Sequence, residues 1–275
     1  MGQRVMQALR DWFNLYAQQF KTTFATMLQY RASLFIWMIS SILEPLIYLI
    51  VWSTVSNGSG GSVGSYTASG FAAYYIALML VNQVTYTWIM YEYEYRIRHG
   101  SLSFALVKPV HPIHSDIADN LSSKLITLPI LLVVAGGMAL IFHPTATLRP
   151  WAILAFIPAL ALAFLVRFLL EWTLALAAFW TTRVSAINQV YFVLILFLSG
   201  QIAPLTLFPS WLQIVANVLP FRWMLGFPVE LILGKLSPTQ ALEGLAAQVV
   251  WVIVSLGVIR LVWRAGVRVY SAVGA

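Results

Sequence analysis

The chain has 275 residues, of which 60% are hydrophobic and only 9% are charged. Soluble domains carry roughly 25% charged residues, so this composition favours a membrane protein over a soluble enzyme or binding domain. The net charge of +7 does not indicate nucleic-acid binding, because the Lys and Arg residues lie between apolar runs instead of forming one basic face. The absence of Cys excludes disulfides and thiolate chemistry.

Residues 1–30 are predicted to form an amphipathic helix that lies in the cytoplasmic interface of the membrane. Apolar residues recur at every third or fourth position along this stretch, and polar residues occupy the other side, as expected for a helix with one apolar face. The apolar set is Met6, Leu9, Phe13, Tyr16, Phe20, Phe24 and Met27, and the polar set is Arg10, Asp11, Asn14, Gln18 and Lys21.

Six further stretches are apolar and long enough to cross a bilayer, whose apolar core of about 30 Å needs roughly 20 residues of helix. They cover about 32–55, 69–91, 122–142, 151–180, 186–204 and 240–262. Between the last two, residues 205–234 are also apolar, but prolines interrupt them, so each piece is too short to span. We therefore predict an all-α integral membrane protein with six transmembrane helices and an outer re-entrant hairpin before the sixth.

The distribution of Lys and Arg orients the predicted helices, because cytoplasmic segments of membrane proteins carry an excess of these residues. With the N-terminus inside, the outer segments hold only Arg149, Arg222 and Lys235, and Arg167 lies within a span. The remaining twelve of the sixteen are cytoplasmic, so we expect both termini in the cytoplasm. These twelve are Arg4, Arg10, Lys21, Arg31, Arg96, Arg98, Lys108, Lys124, Arg183, Arg260, Arg264 and Arg268.

The loop after the second predicted span, residues 92–120, is long and basic and contains Gly and Pro. It can supply a short helix with apolar contacts, a bend at Gly100 and a stop at Pro109 and Pro112. We expect a rigid element that protrudes from the membrane and docks on another protein; the alternative is a loop whose positive charges merely fix the topology. The candidate docking residues are Arg96, Ile97, Arg98, Gly100, Leu102, Phe104, Leu106, Lys108 and Pro109.

Ionisable residues within the predicted spans are candidates for function, since a charge inside the membrane is costly. Glu44 precedes Pro45, which favours a kink, and Glu44 and Gln201 are the candidate residues of a transport pathway. Arg167 and Glu171 are four positions apart and can pair on one helix face. That pair is either a structural bridge or part of the pathway. An acidic residue on an aromatic pathway would favour cationic or amphiphilic cargo.

No catalytic residue or metal site is predicted. His99, His111, His114 and His143 lack the Cys or carboxylate neighbours that a metal site needs, and no convergent polar set suits a membrane-embedded enzyme. The sequence has no G-x-x-x-x-G-K-[ST] loop, so we expect ATP hydrolysis, if it drives this protein, to occur in another subunit.

Two stretches resemble ABC-2-type exporter permeases, the transmembrane subunits of ATP-binding-cassette transporters. YRIRHGSLSFALVKPVHPIH is similar to the loop after their second span, with Lys in place of the more usual Arg before Pro. GQIAPLTLFPSWLQIVANVLPFRW is similar to the outer region before their last span. The resemblance extends over nearly the whole chain, because the order of spans and loops also agrees. The matching positions of the first motif are Ile97, Gly100, Leu102, Leu106, Lys108 and Pro109.

The resemblance implies a single ABC-2-type transmembrane domain over residues 1–275, with 92–120 as the coupling segment. It implies a half-transporter that pairs with a second, identical or similar permease and with ATPase subunits, which would bind ATP and Mg²⁺. The expected function is ATP-driven export of a drug-like, lipid or other amphiphilic cargo across the cell's inner (plasma) membrane. The alternative is a secondary transporter driven by an ion gradient, which would be expected to show repeats and a relay of buried carboxylates.

Overall fold

The computed structural model describes residues 2–29, 31–181 and 184–270, and most of them are helical. Two short antiparallel strands, β1 (Ser62–Val63) and β2 (Tyr66–Thr67), form a hairpin in the loop after the first predicted span. The helices in chain order are α1 (Gly2–Gln29), α2 (Arg31–Gly58), α3 (Ala68–Thr85), α4 (Ile89–Arg98), α5 (Leu102–Leu106), α6 (Pro112–Phe142), α7 (Pro150–Ala175), α8 (Val184–Leu198), α9 (Ser210–Val218), α10 (Phe221–Met224), α11 (Gly226–Ile232) and α12 (Pro238–Val269).

Four helical segments among the described residues are long and apolar enough to cross a membrane. They belong to α2, α6, α7 and α12, and they coincide with the first, third, fourth and sixth predicted spans. The prediction of an all-α, multi-pass membrane protein is confirmed at this level. The four segments are Ile36–Gly58, Pro112–Phe142, Pro150–Phe179 and Pro238–Val269, the third of which continues α7 through a 3-10 turn at Leu176–Phe179.

The second and fifth predicted spans are shorter in the structure than in the prediction. Residues 69–91 are split, because α3 ends at Thr85, residues 86–88 are not helical, and α4 begins at Ile89. Residues 186–204 are helical only to Leu198, and Gly200 follows with a φ of +87°, a conformation that glycine adopts at little cost. Neither α3 nor α8 reaches the length and apolarity of the four segments above.

Helix α3 is largely buried, and it packs on α2, α6 and α7. Its aromatic side chains also fix the irregular segment after α8. The hydroxyls of Tyr74 and Tyr75 donate to the carbonyls of Gly200 (2.7 Å) and Ile202 (2.8 Å), and the Trp52 indole of α2 donates to the latter as well (2.8 Å). Backbone carbonyls that no helix satisfies therefore receive buried side-chain donors.

The N-terminal helix α1 lies along the first half of α6. Gln19 Nε2 (2.5 Å) and Thr23 Oγ1 (2.9 Å) both donate to Asp119 Oδ1 of α6. On the predicted apolar face, Tyr16 and Phe20 are half-buried and Phe24 is exposed. The side chains of Arg4, Met6, Leu9, Asp11, Phe13, Met27 and Arg31, and the whole of Arg183, lie outside the described residues.

The predicted re-entrant region, residues 205–234, is a series of short helices. A 3-10 turn at Leu205–Leu207 is followed by α9 with nine residues, α10 with four and α11 with seven. Pro209 and Pro220 immediately precede α9 and α10, and an ion pair of 2.8 Å between Arg222 and Glu230 ties α10 to α11. Each of these helices is too short to cross a bilayer.

Candidate functional site

A buried ion pair lies on α7 between the core helices. Arg167 Nε is 2.8 Å from Glu171 Oε1, and the two side chains are 3% and 1% exposed. The Arg167 guanidinium also reaches α3, where it donates to Asn82 Oδ1 (2.7 Å) and Thr85 Oγ1 (3.1 Å). The two residues that share a face by their four-residue spacing thus form a direct contact, and the arginine connects α7 to α3.

The carboxylate of this pair is hydrogen-bonded from two further parts of the chain. Tyr191 of α8 donates its hydroxyl to Glu171 Oε1 (2.8 Å), and the hydroxyl of Thr87, in the break between α3 and α4, donates to Oε2. Together with Arg167, these donors satisfy both carboxylate oxygens. A buried charge that is paired and hydrogen-bonded in this way is tolerated where an isolated one is not.

A second intramembrane carboxylate, that of Glu44, is exposed on the surface of α2. Gln201 Nε2, from the segment after α8, donates to Glu44 Oε1 at 2.8 Å, and the hydroxyl of Tyr48, one turn further along α2, also interacts with this carboxylate. The two residues that were singled out as pathway candidates are therefore in contact, although 157 positions separate them in sequence.

Two cavities flank Glu44. The larger, of about 280 Å³, also contains Gln201 and Arg167 in its wall. The smaller, of about 170 Å³, shares Glu44, Asn82 and Tyr86 with the larger one. Glu171 lies behind Arg167 and does not line either cavity. The remaining residues of the larger cavity are Tyr48, Phe192, Ile195 and Leu196, and those of the smaller cavity are Trp37, Ser40, Ser41 and Gln83.

A buried lysine next to this site was not identified as a site residue from the sequence. Lys124 of α6 counts among the cytoplasmic positive charges, but its side chain is 7% exposed. Its ammonium donates to the carbonyl of Tyr86 (2.7 Å) and lies 5.3 Å from the Phe164 ring centroid. The sequence did offer a signal for this burial, because Lys124 is a charged residue within the third predicted span, 122–142.

The predicted coupling segment, residues 92–120, contains most of α4, a tight bend, α5 and the start of α6. Gly100 ends α4 with a φ of +69°, where residues with a side chain are strained. Of the predicted apolar contacts, Ile97 and Leu102 are buried in the core of this chain, whereas Phe104 is 77% exposed and the neighbouring Val107 is 86% exposed. The surface that another protein could contact is therefore narrower than the sequence pattern indicated.

The remaining predicted coupling residues lie around this exposed pair. Leu106 is half-buried, and Lys108 and Pro109 are exposed. Pro112, which was expected to stop a helix, instead begins α6 behind an N-cap at His111, because proline suits the first turn of a helix, where no backbone N–H is needed. We define the exposed tip as Phe104, Val107, Lys108 and Pro109.

The basic residues of α4 are paired within the chain. Arg98 pairs with Glu94 (3.2 Å), and Arg96 pairs with Glu92 and with Asp116 of α6 (2.8 Å). Burial tends to lower the pKa of the Arg96 guanidinium, but the two carboxylates outweigh it and raise that pKa above its ordinary value. Arg96 is therefore engaged within this chain, and it connects the coupling segment to the start of α6.

Asp116 of α6 contacts both α4 and α7. This role was not identified from the sequence. Its side chain is fully buried, and besides Arg96 it accepts hydrogen bonds at Oδ2 from the Tyr93 hydroxyl of α4 (2.9 Å) and the Trp172 indole of α7 (3.0 Å). One carboxylate thus joins α4, α6 and α7, so that a displacement of α4 would be transmitted to both long helices.

Comparison with known proteins adds an independent finding. A family model described as ABC-2 family transporter protein matches residues 20–274. No curated protein matches the chain. The match extends from within α1 to beyond α12 and includes both the cavities and the coupling segment, and it confirms the resemblance inferred from the two motifs. This multi-pass membrane protein belongs to the ABC-2 family of transporter proteins.

Proposed function

We propose that the chain is the permease subunit of an ATP-driven exporter for a drug-like, lipid or other amphiphilic cargo. Membership of a permease family and the lack of a phosphate-binding G-x-x-x-x-G-K-[ST] loop support separate subunits for transport and for ATP hydrolysis. A separate ATP-binding-cassette ATPase would bind ATP and Mg²⁺ and hydrolyse the nucleotide. The permease would bind no cofactor and would convert the movement of its partner into movement of its helices.

The observation that carries this proposal is the rigid mounting of an exposed apolar tip. Phe104 and Val107 are exposed, whereas Ile97 and Leu102 of the same segment are buried. The Arg96–Asp116 ion pair fixes α4 to α6. Exposed aromatic and aliphatic side chains on a fixed element are typical of protein–protein contacts. Residues 92–120 would thus act as the coupling segment, with contacts at the tip.

In the proposed topology this chain has six spans, and α3 and α8 are the second and fifth. Each can complete a crossing because its neighbours supply hydrogen-bond partners to the irregular backbone at its end, as at Tyr86 and Ile202. A second permease, identical or similar, would pair with this one in the inner (plasma) membrane. The region 205–234 would lie on the outer side as a re-entrant hairpin.

The proposed orientation, with both termini in the cytoplasm, predicts which single cysteines are accessible from outside. Ser62→Cys in strand β1 and His99→Cys just after α4 would each be the only thiol in the chain, and both positions are exposed. We expect an impermeant maleimide to label position 62 in intact cells, and position 99 only after the cells are permeabilised. Labelling in the opposite order would refute the orientation.

If the tip contacts the ATPase, a substitution there should specifically reduce the amount of ATPase that co-purifies with the permease. Burying a Phe side chain contributes about 1.5–3 kcal/mol, so Phe104→Asp should reduce the ATPase that co-purifies with the permease by about tenfold or more. Leu148→Asp is the matched control, because Leu148 is an exposed apolar residue on a different loop. Both variants should insert with wild-type yield. Equal recovery of the ATPase with Phe104→Asp and Leu148→Asp would mean that the segment serves only to fix the topology.

A further inference from the structure

Glu44 is an exposed carboxylate on a membrane-spanning helix and has no counter-charge in the described part of the chain. Its partners there, the Gln201 amide at 2.8 Å and the Tyr48 hydroxyl, carry no charge. Its neighbours Leu43 and Ile47 are exposed apolar residues, as expected on a helix surface within a membrane. A charge exposed to lipid is costly, so Glu44 is expected to face a polar passage or a charged ligand.

Aromatic rings surround the two cavities beside Glu44. Tyr48 and Tyr86 line the larger cavity, and Trp37 and Tyr86 line the smaller one. The Trp37 ring centroid is 5.4 Å from that of Tyr86 and 6.4 Å from that of Trp88, which in turn stacks on Tyr91 at 4.6 Å. Trp88, at 50% exposure, leaves ring surface uncovered. The rings thus form a continuous aromatic wall on one side of the carboxylate.

We propose that this site binds lipophilic organic cations, and that these are the cargo of the transporter. The inference rests on the proposed function and deepens it by giving the charge of the cargo. A cation enclosed by aromatic faces is attracted to their electron-rich surfaces, and the Glu44 carboxylate supplies the counter-charge. The apolar part of such a cargo would lie against Tyr48, Ile195 and Leu196 in the larger cavity.

The one cation in the cavity wall does not oppose this assignment. Arg167 is neutralised by Glu171 at 2.8 Å, and its guanidinium also lies 5.2 Å from the Tyr86 ring centroid. Its side chain is nearly inaccessible, whereas Glu44 is exposed. The uncompensated charge that a ligand meets first is therefore negative.

The test compares two probes of nearly identical shape and opposite charge. The full chain, purified and placed in phosphatidylcholine nanodiscs, is equilibrated with radiolabelled tetraphenylphosphonium or tetraphenylborate, and binding to empty nanodiscs is subtracted. We expect saturable binding of the phosphonium and at least about tenfold weaker binding of the borate, because the two probes differ in the sign of their interaction with Glu44.

Three variants test whether Glu44 causes the preference for the phosphonium over the borate. Glu44→Gln retains an oxygen that can accept from Gln201 but removes the charge, so it should weaken phosphonium binding about tenfold. Glu44→Asp should retain most of the binding. Glu243→Gln, which removes an exposed carboxylate of α12 away from both cavities, should change nothing.

Equal binding of the two probes to the wild-type chain would overturn the inference, and this comparison does not depend on the folding of any variant. Unchanged phosphonium binding by a monodisperse Glu44→Gln variant would also overturn it. Neither measurement involves ATP or the partner. Absence of cation binding together with ATP-driven transport would refute the cation assignment alone, whereas cation binding without any dependence of transport on ATP would refute the proposed export mechanism alone.

Discussion

Glu171→Ala is expected to remove most of the correctly folded protein. The substitution leaves the guanidinium of Arg167 buried without its counter-ion and deprives the hydroxyls of Thr87 and Tyr191 of their acceptor. Breaking a buried pair by removing one partner costs about 3–5 kcal/mol, a large part of the roughly 5–15 kcal/mol that stabilises a typical protein. The measurement is the yield of monodisperse permease after detergent extraction, together with its thermal midpoint in nanodiscs.

The double variant Arg167→Met/Glu171→Met separates a structural role from a pathway role. Replacing a buried ion pair with apolar residues of similar size is often neutral or stabilising, so the double variant should regain part of the yield that each single variant loses. If both single variants were instead recovered at wild-type yield and differed only in cargo transport, the pair would belong to the pathway and the structural interpretation would be wrong.

Asp116→Ala is expected to produce the second large loss. The change leaves the Tyr93 hydroxyl and the Trp172 indole N–H without their acceptor, at about 1–3 kcal/mol for each buried group, and Arg96 loses its ion pair with α6. We expect a thermal midpoint in nanodiscs that falls by several degrees. ATP hydrolysis by the assembled complex should also lose its response to cargo, because α4 is no longer fixed to α6 and α7.

The matched control for this variant is Asp119→Ala. Asp119 lies on the same helix, one turn further along, and accepts only from Gln19 and Thr23 of α1 among the described contacts. It is half-buried, so its removal should lower the midpoint much less. Indistinguishable midpoints for the two variants would show that Asp116 is not the junction between the coupling segment and the membrane helices.

The sequence correctly predicted a helix wherever a long apolar stretch is enough to define one. α2, α6, α7 and α12 each contain a long, predominantly apolar stretch, and all four were expected. The break between α3 and α4 was not, because residues 69–91 have no proline and no charge to signal it. In the structure, partners distant in sequence stabilise the break: the Lys124 ammonium donates to the freed carbonyl of Tyr86 at 2.7 Å, and the Thr87 hydroxyl donates to Glu171.

Site residues could be predicted where their contact is local in sequence, and could not where the partner is distant in sequence. The Arg167–Glu171 contact follows from a four-residue spacing on one helix. Glu44 could be recognised as costly, but its partner Gln201 is brought to it only by folding. Asp116 was inconspicuous because its three donors come from α4 and α7. In the predicted coupling segment, the sequence pattern identified the apolar positions but did not show that Ile97 and Leu102 face the core.

The most direct test of the central claim asks which energy source drives transport. The permease is purified with its ATPase and reconstituted into vesicles, and ethidium uptake and translocation of a fluorescent phospholipid are followed with ionophores present to abolish ion gradients. ATP-driven export predicts that transport of at least one of these cargoes requires ATP, survives the ionophores and ceases when the ATPase cannot hydrolyse ATP. Transport that proceeds without ATP under an imposed ion gradient, and stops when the ionophores are added, would contradict it and identify a secondary transporter.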